Sequence, residues 1–216
     1  MTTGTIKRAA MDNQMGKRIF DVLAAGAGLL LLAPLLLLVA LWIKLDSRGP
    51  VMYRQQRVGL HGVPFDILKF RTMAARLPGS DEGRQITVGR DPRITRAGHI
   101  LRASKLDELP QLINVLQGTM SLVGPRPEVP RYVACYPPAV RSTVLSVAPG
   151  ITDLASILFK EESVILGRAA DPERAYVETI LPVKLEYYQR YVRERSFRLD
   201  LRIIFRTLAA VLRQER

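Results

Sequence analysis

An uncharged apolar segment near the N-terminus constrains what this chain of 216 residues can fold into more than any other feature. Residues 22–43 read VLAAGAGLLLLAPLLLLVALWI, about the length that a straight helix needs to cross the hydrocarbon core of a bilayer. Pro34 lies near the middle of this stretch and predicts a kink or a break in the helix. Basic residues flank both ends of the segment: Lys17, Arg18, Lys44 and Arg48.

Two membrane topologies account for this segment. A spanning helix usually carries more basic charge on one flank than on the other, because cations stay on the cytoplasmic side. A helix that enters the membrane, breaks at Pro34 and returns to the same face explains both the proline and the balanced flanks. A conventional transmembrane helix with a tolerated proline is the commoner arrangement, so the sequence leaves both topologies open.

Composition narrows the chemistry of the remaining chain. The net charge of +12 indicates an anionic partner, which could be nucleic acid, anionic lipid or a phosphorylated substrate. The single cysteine, Cys135, excludes an intramolecular disulfide and a cysteine-rich metal site. Two isolated histidines, His61 and His99, argue against a zinc site, whereas a site that binds a hard metal through oxygen stays open.

An acidic pair stands alone in a basic stretch. Asp107 and Glu108 are the only acidic residues between Pro92 and Pro127, a stretch that also holds several cations: Arg93, Arg96, Arg102, Lys105 and Arg126. A carboxylate pair in a positive field suits chemistry on a phosphate ester, because cations gather the substrate while a carboxylate binds a metal or attacks phosphorus.

The local pattern around this pair predicts a helix. Apolar residues recur at helical spacing through residues 109–116, and Pro110 suits a first helical turn. The pair is therefore predicted at a helix N-terminus. Asp is a preferred N-cap and Glu is favoured in a first turn, so this segment alone favours a helix cap over a catalytic role.

Other segments complete the predicted fold. Short strands are predicted near residues 51–54 and 65–71, and a long polar helix near residues 172–195, whose tyrosines are more typical of packing than of base stacking. Pro125 and Pro127 hold Arg126 in a rigid turn, which either preorganises a guanidinium for phosphate or forms a structural turn.

The C-terminal stretch is predicted to be a basic amphipathic helix. Four arginines alternate with apolar residues at helical spacing: Arg198, Arg202, Arg206 and Arg213. Such a helix either lies in an anionic membrane surface or presents the solvated face of an ordinary packed helix, and the pattern fits both.

The predicted fold class is α+β, mainly helical, with a small β-sheet, an N-terminal re-entrant membrane segment and amphipathic interfacial helices. The predicted organisation has four parts. They are a tail at 1–16, a re-entrant membrane helix at 17–48, a catalytic domain at 49–195 and a basic amphipathic helix at 196–216.

Several motifs occur together in a characteristic order. Lys17-Arg18-Ile19-Phe20-Asp21 precedes the apolar segment, and Lys69-Phe70-Arg71-Thr72-Met73 follows it. Leu106-Asp107-Glu108-Leu109-Pro110-Gln111-Leu112, Ser121-Leu122-Val123-Gly124-Pro125-Arg126-Pro127 and Pro149-Gly150-Ile151-Thr152 come later. With these motifs, residues 15–213 resemble the bacterial sugar transferase family, the monotopic polyprenyl-phosphate phosphoglycosyl transferases.

This resemblance implies an activity and a location. Members of the family transfer a sugar 1-phosphate from a UDP-sugar to undecaprenyl phosphate and release UMP, in the first membrane step of exopolysaccharide, lipopolysaccharide or capsule assembly. The implied cofactor is magnesium, with manganese as a substitute. The implied partners are the donor, the lipid acceptor and anionic membrane lipid, with no nucleic acid and with a homo-oligomer allowed. The implied location is the cytoplasmic face of the bacterial inner membrane.

The resemblance also implies roles for particular residues. Asp107 would be the nucleophile that forms a covalent phosphosugar intermediate, and Glu108 would bind metal with it or assist the acceptor. The phosphate groups would be held by a basic set with the turn proline: Arg126, Arg102, Lys69, Arg71 and Pro127. Pro34 would be the helix-breaking residue.

Some positions depart from the family pattern. Ala33 replaces the usual serine before the breaking proline, which affects the expected depth and angle of re-entry. Residues 153–159 also differ from the commoner family sequence, so the sugar of the donor is not inferred.

Two other activities use some of the same residues. A membrane-tethered protein that binds anionic lipid or nucleic acid would explain the net charge, but not the isolated acidic pair or the rigid turn. A metal-dependent phosphohydrolase acting on lipid phosphates would release inorganic phosphate rather than UMP.

Overall fold

The computed structural model describes residues 2–74, 91–158 and 162–213. These residues are mainly helical, as predicted, and they form two small sheets where the sequence predicted one. The strands are β1 (Met52–Val58), β2 (Pro64–Phe70), β3 (Ser121–Val123) and β4 (Gly150–Thr152). The first helices are α1 (Thr2–Asp46), α2 (Arg96–Ala103), α3 (Gln111–Gln117), α4 (Pro130–Val133) and α5 (Pro138–Val144). The later helices are α6 (Leu154–Leu158), α7 (Glu162–Gly167), α8 (Pro172–Ala175), α9 (Leu181–Glu194) and α10 (Phe197–Arg213).

The apolar segment forms part of one long helix, α1, which continues through Pro34. The predicted helix-break-helix is therefore not confirmed in that form. A proline removes one intrahelical hydrogen bond, and a long apolar helix can accommodate this loss. Within the part of the chain that the structure describes, the stretch Gln14–Asp46 of α1 is the candidate long and apolar enough to cross a membrane.

One face of α1 packs on the body and the other is exposed. Ala25 contacts the core around β2 and α3, while Val39 and Ile43 pack with Phe70 and Leu101. Large leucines on the outer face are more than half exposed: Leu23, Leu30, Leu31, Leu37, Leu38, Leu41 and Leu45. Exposed apolar faces of this kind are typical of surfaces that contact a membrane or another protein.

Both ends of the apolar segment are hydrogen-bonded to the same body. Near its start, Asp21 accepts a hydrogen bond from the Ser121 hydroxyl at 2.7 Å. Near its end, Asp46 accepts one from the Ala97 backbone N–H at 3.1 Å. The body therefore contacts the helix on both sides of Pro34.

The two predicted strands in the first half of the chain are confirmed. β1 and β2 pair in antiparallel register from Met52 with Phe70 to Val58 with Pro64. Together with α2 and α3 they form the surface on which α1 packs. This hairpin places Lys69, near the end of β2, beside the acidic pair.

β3 and β4 form a separate parallel pair, with Ser121 opposite Gly150 and Val123 opposite Thr152. The backbone segments at Gly124, just after β3, and at Gly150, at the start of β4, lie very close together. A Cβ on Gly150 would lie 2.0 Å from the Gly124 backbone nitrogen. Only glycine fits such an approach. The contact directs the chain into the turn that carries Arg126.

The predicted long helix over 172–195 is divided. α8 is followed by a π-helical turn, Tyr176–Ile180, and then by α9, where Pro182 in the first turn lacks a backbone N–H donor. The prediction that its tyrosines pack in the core is confirmed for three that are buried: Tyr176, Tyr188 and Tyr191. α10 buries Ile203 and Asp200 and exposes Phe205 and Leu208.

Candidate active site

The acidic pair lies in a 3₁₀ turn, Leu106–Glu108, directly before α3. This corrects the predicted position, because Pro110 is the N-cap of α3 and the helix begins at Gln111. No side chain caps either the turn or α3, and Asp107 makes no hydrogen bond with the described residues. The interpretation of Asp107 as an N-cap is therefore wrong, whereas both carboxylates do lie in a first helical turn.

The turn is preceded by a residue in an unusual backbone conformation. Lys105 has φ 59° and ψ 13°, which is left-handed and unfavourable for a side chain with a Cβ. This conformation ends α2 sharply and starts the turn that presents both carboxylates. Backbone strain of this kind is concentrated at functional sites.

Glu108 is held by two cations. Its Oε1 accepts hydrogen bonds from Lys69 Nζ at 2.8 Å and from Arg126 Nη2 at 2.5 Å, and its Oε2 accepts one from Arg126 Nη1 at 3.3 Å. Burial raises the pKa of Glu108, but Arg126 and Lys69 together outweigh burial and hold that pKa well below its usual range. Glu108 is therefore ionised, and its charge raises the pKa of Arg126 in turn.

Asp107 differs from its neighbour. It is 8% exposed, and its buried Oδ1 has no hydrogen-bond partner, which leaves Oδ2 as the oxygen that can reach a ligand. Burial and then the charge of Glu108 raise the pKa of Asp107, while nearby cations act in the opposite direction: Lys69, Lys105 and Arg102. The pair thus consists of Glu108, whose negative charge is balanced by two bound cations, and Asp107, whose carboxylate has no hydrogen-bond partner among the described residues.

The predicted phosphate-binding residues fall into two groups. Lys69, Arg102 and Arg126 lie around the acidic pair Asp107 and Glu108, referred to below as the dyad. Arg102 Nε donates a hydrogen bond to the Thr72 hydroxyl at 2.9 Å. Arg71 is not part of this group. It is buried, and its Nη2 donates hydrogen bonds to the carbonyl oxygen of Ser47, at 2.7 Å, and to that of Ile43, at 3.4 Å, around the C-terminal end of the apolar segment.

The turn that carries Arg126 is held by polar contacts on the side away from the dyad. The Pro127 carbonyl accepts a hydrogen bond from Arg57 Nη1 at 3.2 Å. Glu128 accepts one from the Tyr176 hydroxyl at 2.6 Å and lies 4.0 Å from Lys184 Nζ. This buried polar network fixes the turn, so Pro127 acts in the structure through its rigidity and its carbonyl.

The carboxylates of the dyad could supply only part of the coordination shell of a divalent hard cation. Among the described residues there is no group of three or more His, Cys, Asp or Glu side chains that could enclose a metal. Mg²⁺, however, binds through one or two carboxylates and completes its shell with substrate phosphates and water. Asp107 has an oxygen available for this, whereas both oxygens of Glu108 are held by cations.

Sequence reasoning missed two buried residues near the site. Gln111 is fully buried one turn after Asp107, and Lys184 is buried behind the Arg126 turn. Gln111 carried no signal, because it lies on the opposite side of α3 from the apolar residues that recur at helical spacing through 109–116, where an exposed side chain is expected. Lys184 carried none, since a lysine in a polar helix is usually exposed.

Comparison with known proteins decides the family. A model of the bacterial sugar transferase family matches residues 12–214, which include α1, the dyad and the Arg126 turn. The chain belongs to this family. It is therefore a transferase by family membership, and the resemblance noted in the sequence is confirmed.

Several curated relatives of this family member carry more detailed names. The UDP-glucose:undecaprenyl-phosphate glucose-1-phosphate transferase of Caulobacter vibrioides is 42% identical over 97% of this chain and 73% of the relative. The Escherichia coli K12 protein of the same name is 37% identical over 91% of this chain and 40% of the relative.

A shorter relative matches along most of its length. Exopolysaccharide production protein ExoY of Rhizobium meliloti is 37% identical over 91% of this chain and 85% of the relative. The chain thus spans most of some relatives and less than half of others.

Proposed function

We propose that this protein transfers a sugar 1-phosphate from a UDP-sugar to undecaprenyl phosphate and releases UMP. The observation that carries the proposal is the contrast within the dyad. Glu108 is neutralised by Lys69 and Arg126, while Asp107 keeps an unpartnered carboxylate in the same positive field. The names of the relatives from Caulobacter vibrioides and Escherichia coli state this type of donor and acceptor.

The first step is a displacement at the phosphorus atom that bears the sugar. An oxygen of Asp107 attacks this phosphorus and forms a new O–P bond. The bond from that phosphorus to the bridging oxygen of the diphosphate breaks, and UMP leaves with the electron pair. The product is an aspartyl phosphosugar, and UMP is a good leaving group for such a reaction.

The second step returns the enzyme to its starting state. A phosphate oxygen of the lipid attacks the same phosphorus, the bond to Asp107 breaks, and the carboxylate is restored. Two displacements let a water-soluble donor and a membrane-embedded acceptor use one site in turn.

The cations around the dyad stabilise negative charge in both steps. Arg126 and Lys69 are positioned by Glu108, and Arg102 by Thr72, so these donors are oriented before the substrate arrives. Bound magnesium would neutralise charge on the diphosphate and would be held through Asp107 and the substrate itself. Glu108 is thus assigned chiefly to orienting Arg126 and Lys69.

We place α1 as a monotopic membrane element whose two ends stay on one face. The support is geometric, since Asp21 and Asp46 are both hydrogen-bonded to one body while the leucines between them are exposed. A helix that crossed the bilayer would place those ends on opposite sides, about 37 Å apart at the rise of an α-helix. The re-entry is then a bend of α1 around Pro34 rather than an interruption.

The remaining membrane contacts follow from this placement. α10 exposes Phe205 and Leu208 beside Arg202 and Arg206, a composition that suits an anionic lipid surface. With a cytoplasmic nucleotide donor, the body lies on the cytoplasmic face of the bacterial inner membrane. The lipid-linked product would start exopolysaccharide assembly, in line with the name of the relative ExoY.

Release of UMP from a panel of UDP-sugars tests the transfer reaction. The protein in detergent, with magnesium and undecaprenyl phosphate, is expected to release UMP with at least one donor. Asp107→Asn is expected to lower the rate about 10⁴-fold, as removal of a nucleophile does. Release of inorganic phosphate instead would identify a phosphohydrolase and overturn the proposal.

A labelling experiment tests the covalent step separately. Donor labelled with ³²P in the sugar-bearing phosphate, supplied without acceptor, is expected to label the parent protein and leave Asp107→Asn unlabelled. Addition of undecaprenyl phosphate should then remove the label. If the parent transfers sugar without ever carrying label, the transfer is direct and the covalent step is wrong.

Cysteine accessibility tests the topology. In a Cys135→Ser background, Thr3→Cys and the exposed body position Ser196→Cys are each treated with a membrane-impermeant maleimide in intact cells. Both are expected to stay unlabelled until the cells are opened. Labelling of Thr3→Cys alone in intact cells would show a spanning helix.

A further inference from the structure

A buried polar stripe runs along the inner face of the segment that carries the dyad. Backbone hydrogen bonds continue through it, from the Glu108 N–H to the Lys105 carbonyl and from the Leu112 N–H to the Leu109 carbonyl. Leu109 and Pro110, between the turn and α3, also have right-handed helical dihedral angles. Asp107, Gln111 and Asn114 therefore follow one another on one face, and all three are buried.

The far end of the stripe is fully bonded. The Asn114 amide accepts a hydrogen bond from the Leu68 backbone N–H at 2.9 Å and donates one to the Asp66 carbonyl at 2.8 Å. It thereby fixes α3 against β2. Both polar atoms of this buried amide are thus hydrogen-bonded.

Gln111 differs from Asn114 in this respect. It is 0% exposed, and neither its Oε1 nor its Nε2 has a hydrogen-bond partner. A buried amide without partners is destabilising, and most buried polar atoms in native proteins do find partners. Such an exception at the edge of an active site indicates a partner that is engaged during the reaction.

The available partner is the Oδ1 atom of Asp107. It is also buried and without a hydrogen bond. Side chains four residues apart on a helical segment have Cβ atoms about 5–6 Å apart, which a glutamine amide spans directly or through one water molecule. An N–H donor and a carboxylate acceptor, both unpartnered, thus lie within reach of each other.

We propose that Gln111 is a positioning residue for the nucleophile, an inference that rests on the proposed function. Its amide N–H donates a hydrogen bond to Oδ1 of Asp107, directly or through one water. This fixes the plane of the carboxylate so that Oδ2 faces the sugar-bearing phosphorus. When Oδ2 bonds to phosphorus, Oδ1 becomes the acyl carbonyl oxygen and still accepts the same hydrogen bond.

The substitution Gln111→Met tests this role, because methionine has a similar length and shape but donates no hydrogen bond. The rate of UMP release is expected to fall about tenfold at saturating donor, with the donor KM within about twofold of the parent. The melting temperature is expected to stay close to that of the parent, because loss of the hydrogen bond to Oδ1 is offset by removal of the buried Oε1, which has no partner within the described part of the chain. Gln117→Met, an exposed position on the same helix, is the matched control and should alter neither quantity.

Two outcomes would overturn the proposal. If Gln111→Met releases UMP as fast as Gln117→Met, the amide does not position Asp107. If its rate and melting temperature fall together, Gln111 is a packing residue of α3. Failure of the parent protein to release UMP from any donor would instead refute the proposed function, so the two failures are distinguishable.

Discussion

Glu108 binds Arg126 through both carboxylate oxygens, with Arg126 Nη2 2.5 Å from Oε1 and Arg126 Nη1 3.3 Å from Oε2. Lys69 shares Oε1 at 2.8 Å. Glu108 is thus occupied by cations, while Asp107 next to it has no hydrogen bond within the described residues. Two adjacent carboxylates acquire different roles because their surroundings differ.

The interaction between Glu108 and Arg126 should be measurable as a coupling free energy. In a double-mutant cycle with Glu108→Gln and Arg126→Met, we expect a coupling of about 1–3 kcal/mol in the free energy of unfolding, since both groups are largely buried. The control pair is Arg190 and Glu194, which are more than half exposed on α9 and should couple by less than about 0.5 kcal/mol. Equal coupling in the two cycles would mean that the active-site pair is solvated.

The lowered pKa of Glu108 predicts that the stability of the protein depends on pH. The pKa of Glu108 in the folded protein lies well below the ordinary value of 4.5, so the unfolded chain takes up a proton first as the pH falls. The stabilisation by Glu108 is therefore complete above about pH 4.5 and is lost as the pH falls through the folded pKa.

Unfolding by denaturant at a series of pH values checks this prediction. Below pH 4.5, the free energy of unfolding should decline more steeply for the parent than for Glu108→Gln. Glu186→Gln, at an exposed position on α9, should follow the parent curve. Parallel curves for the parent and Glu108→Gln would contradict the assigned shift.

Arg71 is expected to act on stability rather than on donor binding. Arg71→Met removes the hydrogen bonds to the Ser47 and Ile43 carbonyls, so the free energy of unfolding should fall by about 1–3 kcal/mol. The donor KM should stay near that of the exposed control Arg54→Met. A raised donor KM with unchanged stability would restore the phosphate-binding role predicted from the sequence.

The crossing of Gly124 and Gly150 should not tolerate a side chain. Gly150→Ala places a Cβ 2.0 Å from a backbone nitrogen, so we expect a loss of about 3 kcal/mol in the free energy of unfolding. Gly16→Ala, in α1 with no atom within 4 Å of the added Cβ, should instead stabilise by about 1 kcal/mol. Thermal unfolding should show a lower melting temperature than the parent for Gly150→Ala and a higher one for Gly16→Ala.

The acidic dyad and its cations could be identified from sequence because they are close in the chain or lie in recognisable motifs. The two strands of the hairpin and the packing of the tyrosines followed from local patterns as well. The position of Arg71 could not be predicted in this way. A guanidinium two residues from Lys69 looks equally suited to phosphate, yet it lies beyond β2 and is directed towards the end of α1.

Local patterns in the sequence determined that the chain has a long apolar segment, an acidic pair in a positive field and a rigid arginine turn. These features depend on residue type and short spacing, which the chain carries without folding. Tertiary structure decided that Glu108 is neutralised by residues 39 and 18 positions away, and that Asp107 and Gln111 stay unpartnered. Burial and long-range contacts set these properties, and they exist only once β2, β3 and α3 have packed together.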